Sequence, residues 1–246
     1  MTYCVGIKVN AGLVFAADSR TNAGIDHVST YSKIHVFERP GERVFVLLSA
    51  GNLATSQAVV NALRREFNDP AAGGLGQVRD VFEAAEHVGK VSYRLQQEHA
   101  SALERSGVSA EASFIIGGEV RGESPQICLV YAQGNYISAT GQMPYLQNGE
   151  TKYGKPILDR IITPDTDLND AVRCALVSLD STIRANVSVG PPLDLAICNS
   201  GSLRLDRRLS LDANSPLYLA IQQGWHEGLK RAFLELPRFD WEQPGA

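Results

Sequence analysis

Val44-Phe45-Val46-Leu47-Leu48 is continuously apolar. A strand of that kind has both of its faces buried, so it belongs to a sheet sandwiched between layers. The flanking sequence agrees with a layered arrangement. Tyr3 to Val9 and Leu13 to Ala17 are β-rich runs joined by a turn at Gly12, which reads as a hairpin. Lys33 to Phe37 and Arg43 to Ser49 are joined by a Pro40-Gly41 turn, and Thr21 to Thr30 reads as polar and irregular.

Helical spacing follows. Val59, Leu63 and Phe67 recur every four residues, and Val78, Val81, Phe82, Ala85, Val88 and Leu95 mark a second helix up to about Ala102. Strands are expected at Ala112 to Gly118, Pro125 to Tyr131 and Tyr136 to Ser138. Gly141 to Asp159 reads as a loop running into a short helix. A third long helix spans Leu168 to Ala185, with Thr166 or Asp167 as its N-cap. Leu193 to Cys198 and Ser202 to Arg207 read as a closing pair of strands. A last helix opens at Ser215-Pro216, with Tyr218, Ile221, Trp225, Leu229 and Phe233 as its expected buried side. This order suits two stacked antiparallel sheets with helices outside: an α+β fold, a four-layer αββα sandwich in one domain over residues 1–246. Residues 238–246 read as a flexible or docking tail.

The 246 residues are enough for a sizeable core. A net charge of −4 points to neither a nucleic-acid nor a membrane partner, and no apolar run reaches the roughly 18–20 residues of a membrane span. No basic region followed by an apolar one marks a secretory signal. Cys4, Cys128, Cys174 and Cys198 show no C-x-x-C spacing, and three of them lie in apolar runs. A reducing, cytoplasmic setting fits them best. The histidines show no metal spacing, and the glycines form neither a P-loop nor a dinucleotide fingerprint, so no metal, nucleotide or other cofactor is expected.

The chemistry concentrates at the N-terminus. Removal of Met1 is expected to leave Thr2 first, a residue that carries both a nucleophile, Oγ, and a base, its own α-amine. The α-amine has an ordinary pKa of about 7.7–8.0, so it can act as a base near neutrality. Lys33 is placed to supply a positive charge that disfavours protonation of that amine and stabilises a developing alkoxide, and Asp18 to orient Lys33. Taken singly, Thr2 is a residue near a terminus and Asp18 and Lys33 are an ordinary ion pair. Together they make an acyl-transfer set. Cys4 is the nearest rival nucleophile, but its place inside a strand favours packing.

The segment Val14-Phe15-Ala16-Ala17-Asp18-Ser19-Arg20-Thr21, behind Thr2, resembles the signature of proteasome-type β subunits, which are N-terminal-nucleophile hydrolases. Lys33-Ile34-His35-Val36-Phe37 is similar to the strand with that family's catalytic lysine. Ser49-Ala50-Gly51-Asn52-Leu53-Ala54 is similar to the strand end whose glycine N–H forms the oxyanion hole. Thr2-Tyr3-Cys4-Val5-Gly6 and Lys152 to Arg160 resemble the bacterial proteasome-like subfamily called Anbu. The resemblance covers Thr2 to about Arg208.

It implies a threonine-type peptide hydrolase with Thr2, Asp18, Lys33, Gly51 and Ser188 as catalytic residues. Arg20, Thr21 and Ser49 are then expected to meet the substrate, a peptide or protein. Thr21 and Gly51 offer backbone hydrogen bonds to an extended peptide. Two positions depart from the family pattern: Gly149 stands where a supporting serine is expected, and Ala185 where an aspartate is. Asn186 and Glu150 are the candidates to replace them. The resemblance also implies a homo-oligomer, ring-like or open and helical, with the exposed faces of the Leu53–Phe67 and Val78–Ala102 helices as contact candidates. It leaves open an ATP-driven unfoldase partner. Two other readings remain: a self-assembling subunit with weak or no catalysis, and an amidase for small amides.

Overall fold

Tyr3–Val9 (β1) and Gly12–Asp18 (β2) pair antiparallel, Cys4 opposite Ala17 and Val9 opposite Gly12, in the hairpin expected from the Gly12 turn. In this computed structural model residues 2–23, 27–69, 71, 73–105 and 107–242 are described. Last along the chain, residues 243–246 of the expected tail lie outside the described residues. Arg20–Ala23 (β3) pairs with His27–Thr30 (β4), so the stretch read as irregular holds a small ribbon. Its strands are short and polar, with no apolar alternation to announce them.

Ile34–Arg39 (β5) and Arg43–Gly51 (β6) follow, then two helices, Leu53–Asn68 (α1) and Val81–Glu104 (α2). Asn52 caps α1 by accepting the Thr55 N–H, and Asp80 caps α2 by accepting the Glu83 N–H. Ala112–Val120 (β7), Gln126–Val130 (β8) and Tyr136–Ser138 (β9) extend one sheet in the order β5-β6-β7-β8-β9.

Tyr145–Gly149 (β10) is a strand inside the stretch read as loop and short helix. It pairs with β1, Tyr3 opposite Gly149. Flanking glycines and prolines hide it in the sequence, and its pairing comes from β1 rather than from its own pattern. Lys155–Ile161 (α3) is the expected short helix, and Leu168–Ala185 (α4) is capped by Asp167. Leu193–Asn199 (β11) and Arg207–Leu211 (β12) complete the second sheet, in the order β10-β1-β2-β11-β12. The closing strand therefore lies beyond Ser202 to Arg207. It is an exposed, arginine-rich edge strand with little apolar signal.

Three apolar layers hold these elements together. Along β6 the side chains alternate: Val44, Val46 and Leu48 pack between the sheets with Phe15, Ile115 and Ala196, while Phe45 and Leu47 pack under α1 and α2 with Leu63, Phe67 and Val88. The second sheet buries Tyr3, Val5, Ile7, Val14 and Leu195 against Leu158, Leu176 and Leu179 of α3 and α4. Each such side chain contributes about 1.5–3 kcal/mol through burial. The result is the α-β-β-α order, and the continuously apolar β6 has both faces covered.

The last helix, Pro216–Leu234 (α5), departs from its expected pattern. Tyr218 is buried and Ile221 packs beside it, and Tyr218 Oη and Gln222 Nε2 both donate to Asp180 of α4. Leu229 and Phe233, expected to be buried, are 51% and 73% exposed. The helix periodicity is real, but only its first turns lie on the core.

Candidate active site

The N-terminal end of β1, the C-terminal end of β2, the start of β5 and the C-terminal end of β6 meet at one end of the two sheets. Antiparallel pairing of β1 with β2 and of β5 with β6 brings them there. A cleft of about 240 Å³ opens at that end, lined by Thr2, Arg20, Thr21, Tyr31, Lys33, Ser49, Gly51 and Asn52 among others.

Asp18, the last residue of β2, is fully buried, and three donors converge on its carboxylate. Lys33 Nζ lies 2.6 Å from Oδ1, the Tyr3 N–H donates to the same oxygen at 3.0 Å, and the Gly190 N–H donates to Oδ2 at 3.2 Å. Lys33 Nζ also donates to the Arg20 carbonyl at 2.8 Å. A buried carboxylate costs several kcal/mol in desolvation unless it is paired and hydrogen-bonded, and here it is both. Lys33 is thereby held in one position, at the wall of the cleft that Thr2 lines.

Thr2 is half-buried, and its carbonyl accepts the Glu150 N–H at 2.8 Å. Gly51 ends β6 with φ +102°, a backbone conformation that favours glycine, and a side-chain carbon there would lie 2.4 Å from the Glu111 carbonyl oxygen. Asn52 ties the same corner down: its N–H donates to Glu111 O, and its Nδ2 to Ser109 O. Ser49 is buried, its N–H donating to the Lys33 carbonyl at 3.2 Å, so the two strand ends are stitched together.

Arg20 is turned toward the 187–190 turn. Its guanidinium lies across Gly190, and Nη1 donates to the Val187 carbonyl at 2.6 Å. Thr21 lines the cleft, with its Oγ1 buried and without a hydrogen-bond partner. Ser188 sits in the turn between α4 and β11, where its N–H donates to Asn186 Oδ1. Of the two departing positions, Ala185 is the exposed last residue of α4, and Gly149 ends β10 beneath Thr2. The polar groups beside them pair with each other: Asn186 Nδ2 donates to the buried Glu150 carboxylate at 3.0 Å.

Burial pushes the Cys4 thiol up to about 12, so it stays protonated near neutral pH. That removes the rival nucleophile. Cys128, Cys174 and Cys198 are likewise buried and pushed up to about 12. Among the described residues no group of three or more His, Cys, Asp or Glu could hold a metal ion. No helix of the described residues is long and apolar enough to cross a membrane.

The sequence singled out Asp18, Lys33 and the β6 terminus, which do come together. It gave no role to Tyr31, Gly190 or Asp194. Tyr31 lines the cleft and the Gly190 N–H meets Asp18 from loops, for which a single sequence carries little signal. Asp194 looks like an ordinary strand residue until β11 is paired with β2.

Residues 2–198 match the Proteasome family, described as proteasome subunit. The chain is 41% identical to "Anbu (ancestral beta-subunit) from Yersinia bercovieri", with a TM-score of 0.90, covering 99% of this chain and 100% of that one. It is 44% identical to the subunit of "Helical Assembly of the Anbu Complex from Pseudomonas aeruginosa", with a TM-score of 0.91 and coverage of 99% and 98%. A Gly-1 mutant of Anbu from Hyphomicrobium sp. strain MC1 is 39% identical, with a TM-score of 0.90 and coverage of 98% and 100%. Nothing among the curated proteins matches. With the αββα sandwich, the Asp18–Lys33 pair and these likenesses in hand, the chain belongs to the proteasome subunit family, in its bacterial proteasome-like Anbu branch.

Proposed function

We propose that this chain is a threonine-type peptide hydrolase that uses Thr2 once Met1 is removed. The observation that carries this reading is the buried Lys33–Asp18 pair, at 2.6 Å, in the wall of the cleft that Thr2 also lines. Thr2 Oγ attacks the scissile carbonyl while the α-amine takes the proton. Lys33 stabilises charge near Oγ, Asp18 holds Lys33, and the Gly51 N–H stabilises the oxyanion, a contribution typically of about 2.7–4 kcal/mol per donor. Water then resolves the acyl-enzyme ester.

The Glu150–Asn186 pair, joined to Thr2 through the Glu150 N–H, takes the place of the family's serine and aspartate beside the α-amine. Ser188 supports the same turn. Arg20 braces the cleft wall, while Thr21 and Ser49 meet the peptide. The experiment is turnover of fluorogenic peptides by wild-type and Thr2→Ala protein. Thr2→Ala is expected to abolish it with the fold intact. Wild-type turnover by Thr2→Ala would overturn the mechanism.

The protein acts as a homo-oligomer in the cytoplasm in this reading. The Pseudomonas aeruginosa relative forms a helical assembly. Exposed apolar side chains of this chain gather on α5 and just after it: Leu229, Phe233, Leu234, Leu236, Phe239 and Trp241. That makes α5 a stronger contact candidate than α1 or α2. The same surface favours the second reading, a subunit whose main role is assembly. Assembled particles in which Thr2 never reacts would select it.

A further inference from the structure

We propose that Asp194 is a positioning residue that clamps the two chain segments carrying the Asp18–Lys33 pair; this rests on the reading of that pair as catalytic. Asp194 lies on β11 opposite Ala17 of β2 and is buried, 7% exposed. Its carboxylate accepts three serine hydroxyls. Ser19 Oγ donates to Oδ2 at 2.9 Å, Ser32 Oγ to the same Oδ2 at 2.6 Å, and Ser210 Oγ to Oδ1 at 2.7 Å.

Two of these serines flank the pair. Ser19 follows Asp18, and Ser32 precedes Lys33. One carboxylate oxygen therefore ties the residue after the aspartate to the residue before the lysine. Backbone bonds continue the tie: the Tyr31 N–H donates to the Ser19 carbonyl at 2.8 Å, and the Ser19 N–H to the Pro192 carbonyl at 2.8 Å. The third serine, Ser210, sits on β12 directly across from Asp194 and belongs to neither segment. Arg208 reaches the cluster through Ser32, to which its Nη2 donates at 3.5 Å.

A buried carboxylate met by neutral hydroxyls is a weak device for stability, because desolvation offsets much of what the bonds return. It is a good device for geometry. Three donors fix the carboxylate, and the carboxylate fixes the two loops in turn. The separation it controls is the one on which catalysis depends, since misplacement of a reacting group by about 1 Å can cost about a hundredfold in rate.

The three serines supply their own control. Ser32→Ala and Ser210→Ala each remove one hydrogen bond to the same carboxylate, so they should lower thermal stability to a similar extent. Only Ser32→Ala should slow labelling of Thr2 by a hydroxyl-directed electrophile, by about tenfold, with Ser210→Ala staying within about twofold of wild type. Ser19→Ala should behave like Ser32→Ala.

Amide hydrogen exchange at Tyr3, whose N–H is bonded to Asp18, reads the same geometry without catalysis. It should quicken in Ser32→Ala and Ser19→Ala and stay unchanged in Ser210→Ala. If wild-type protein takes no label, the peptidase reading fails, and the exchange pattern alone decides the clamp. Equal effects of Ser32→Ala and Ser210→Ala on Tyr3 exchange, or on labelling where labelling occurs, would overturn the proposal.

Discussion

A side-chain carbon on Gly149 would lie 2.0 Å from the carbonyl oxygen of Thr2. A glycine at position 149 is therefore required by its own backbone, at φ +84°, and by the close approach of β1. Gly149→Ser is expected to lower the unfolding free energy by about 2–4 kcal/mol, from the left-handed backbone and the displaced Thr2 carbonyl. For a chain of this length that is a fall in Tm of about 2–4 °C per kcal/mol. An unchanged Tm with faster Thr2 labelling would show that the position tolerates the serine after all.

Lys33 and Asp18 should behave as a buried pair. Lys33→Ala leaves the fully buried Asp18 carboxylate with two backbone donors among the described residues, and should cost about 3–5 kcal/mol in urea denaturation. Lys90→Ala breaks an exposed helical pair with Glu86 and should cost no more than about 0.5 kcal/mol. Equal costs would contradict the burial argument.

His35 should make the fold acid-sensitive. It is buried with Nε2 unpartnered, and desolvation together with the nearby Arg64 and Arg208 lowers it to about 4 from an ordinary 6.5. The unfolded chain binds this proton more readily than the folded one, so stability falls as pH drops below about 6.5 and the loss levels off near pH 4. The full window corresponds to about 3 kcal/mol. His35→Gln should shrink the difference in unfolding free energy between pH 7 and pH 4.5. The same pH dependence in the variant would assign it to other groups.

Most of the fold was legible because it rests on periodicity. β1, β6, α1, α2 and α4 follow apolar spacing closely, and α4 matched to the residue. The elements that were not legible owe their structure to neighbours. β10 is a strand because β1 needs an edge partner, and β12 is a polar edge strand placed by β11. The α5 stripe is amphipathic as its spacing predicts, but only its start, at Tyr218 and Ile221, lies against the core, since sequence does not distinguish a face covered by the chain's own core from one left exposed. At the site, Asp18 and Lys33 stand out because charges at the ends of apolar strands are conspicuous. The serine hydroxyls on Asp194, the Glu150–Asn186 pair and the bracing of Arg20 on the 187–190 turn all depend on contacts between distant segments.

The exposed end of α5 should govern assembly. Phe233→Asp and Leu234→Asp, at 73% and 78% exposed, should change the subunit's own stability by less than about 0.5 kcal/mol while shifting light scattering toward smaller species. Assemblies of unchanged mass in both variants would place the interface elsewhere, with the α1 and α2 faces next in line.

The most direct measurement is an intact-mass spectrum of wild-type and Thr2→Ala protein, each with and without a hydroxyl-directed electrophile. The account predicts loss of the Met1 mass and a single adduct on the peptide beginning at Thr2, with none in Thr2→Ala. Retained Met1, a free Thr2 that takes no label, or an equal adduct on Thr2→Ala would contradict it.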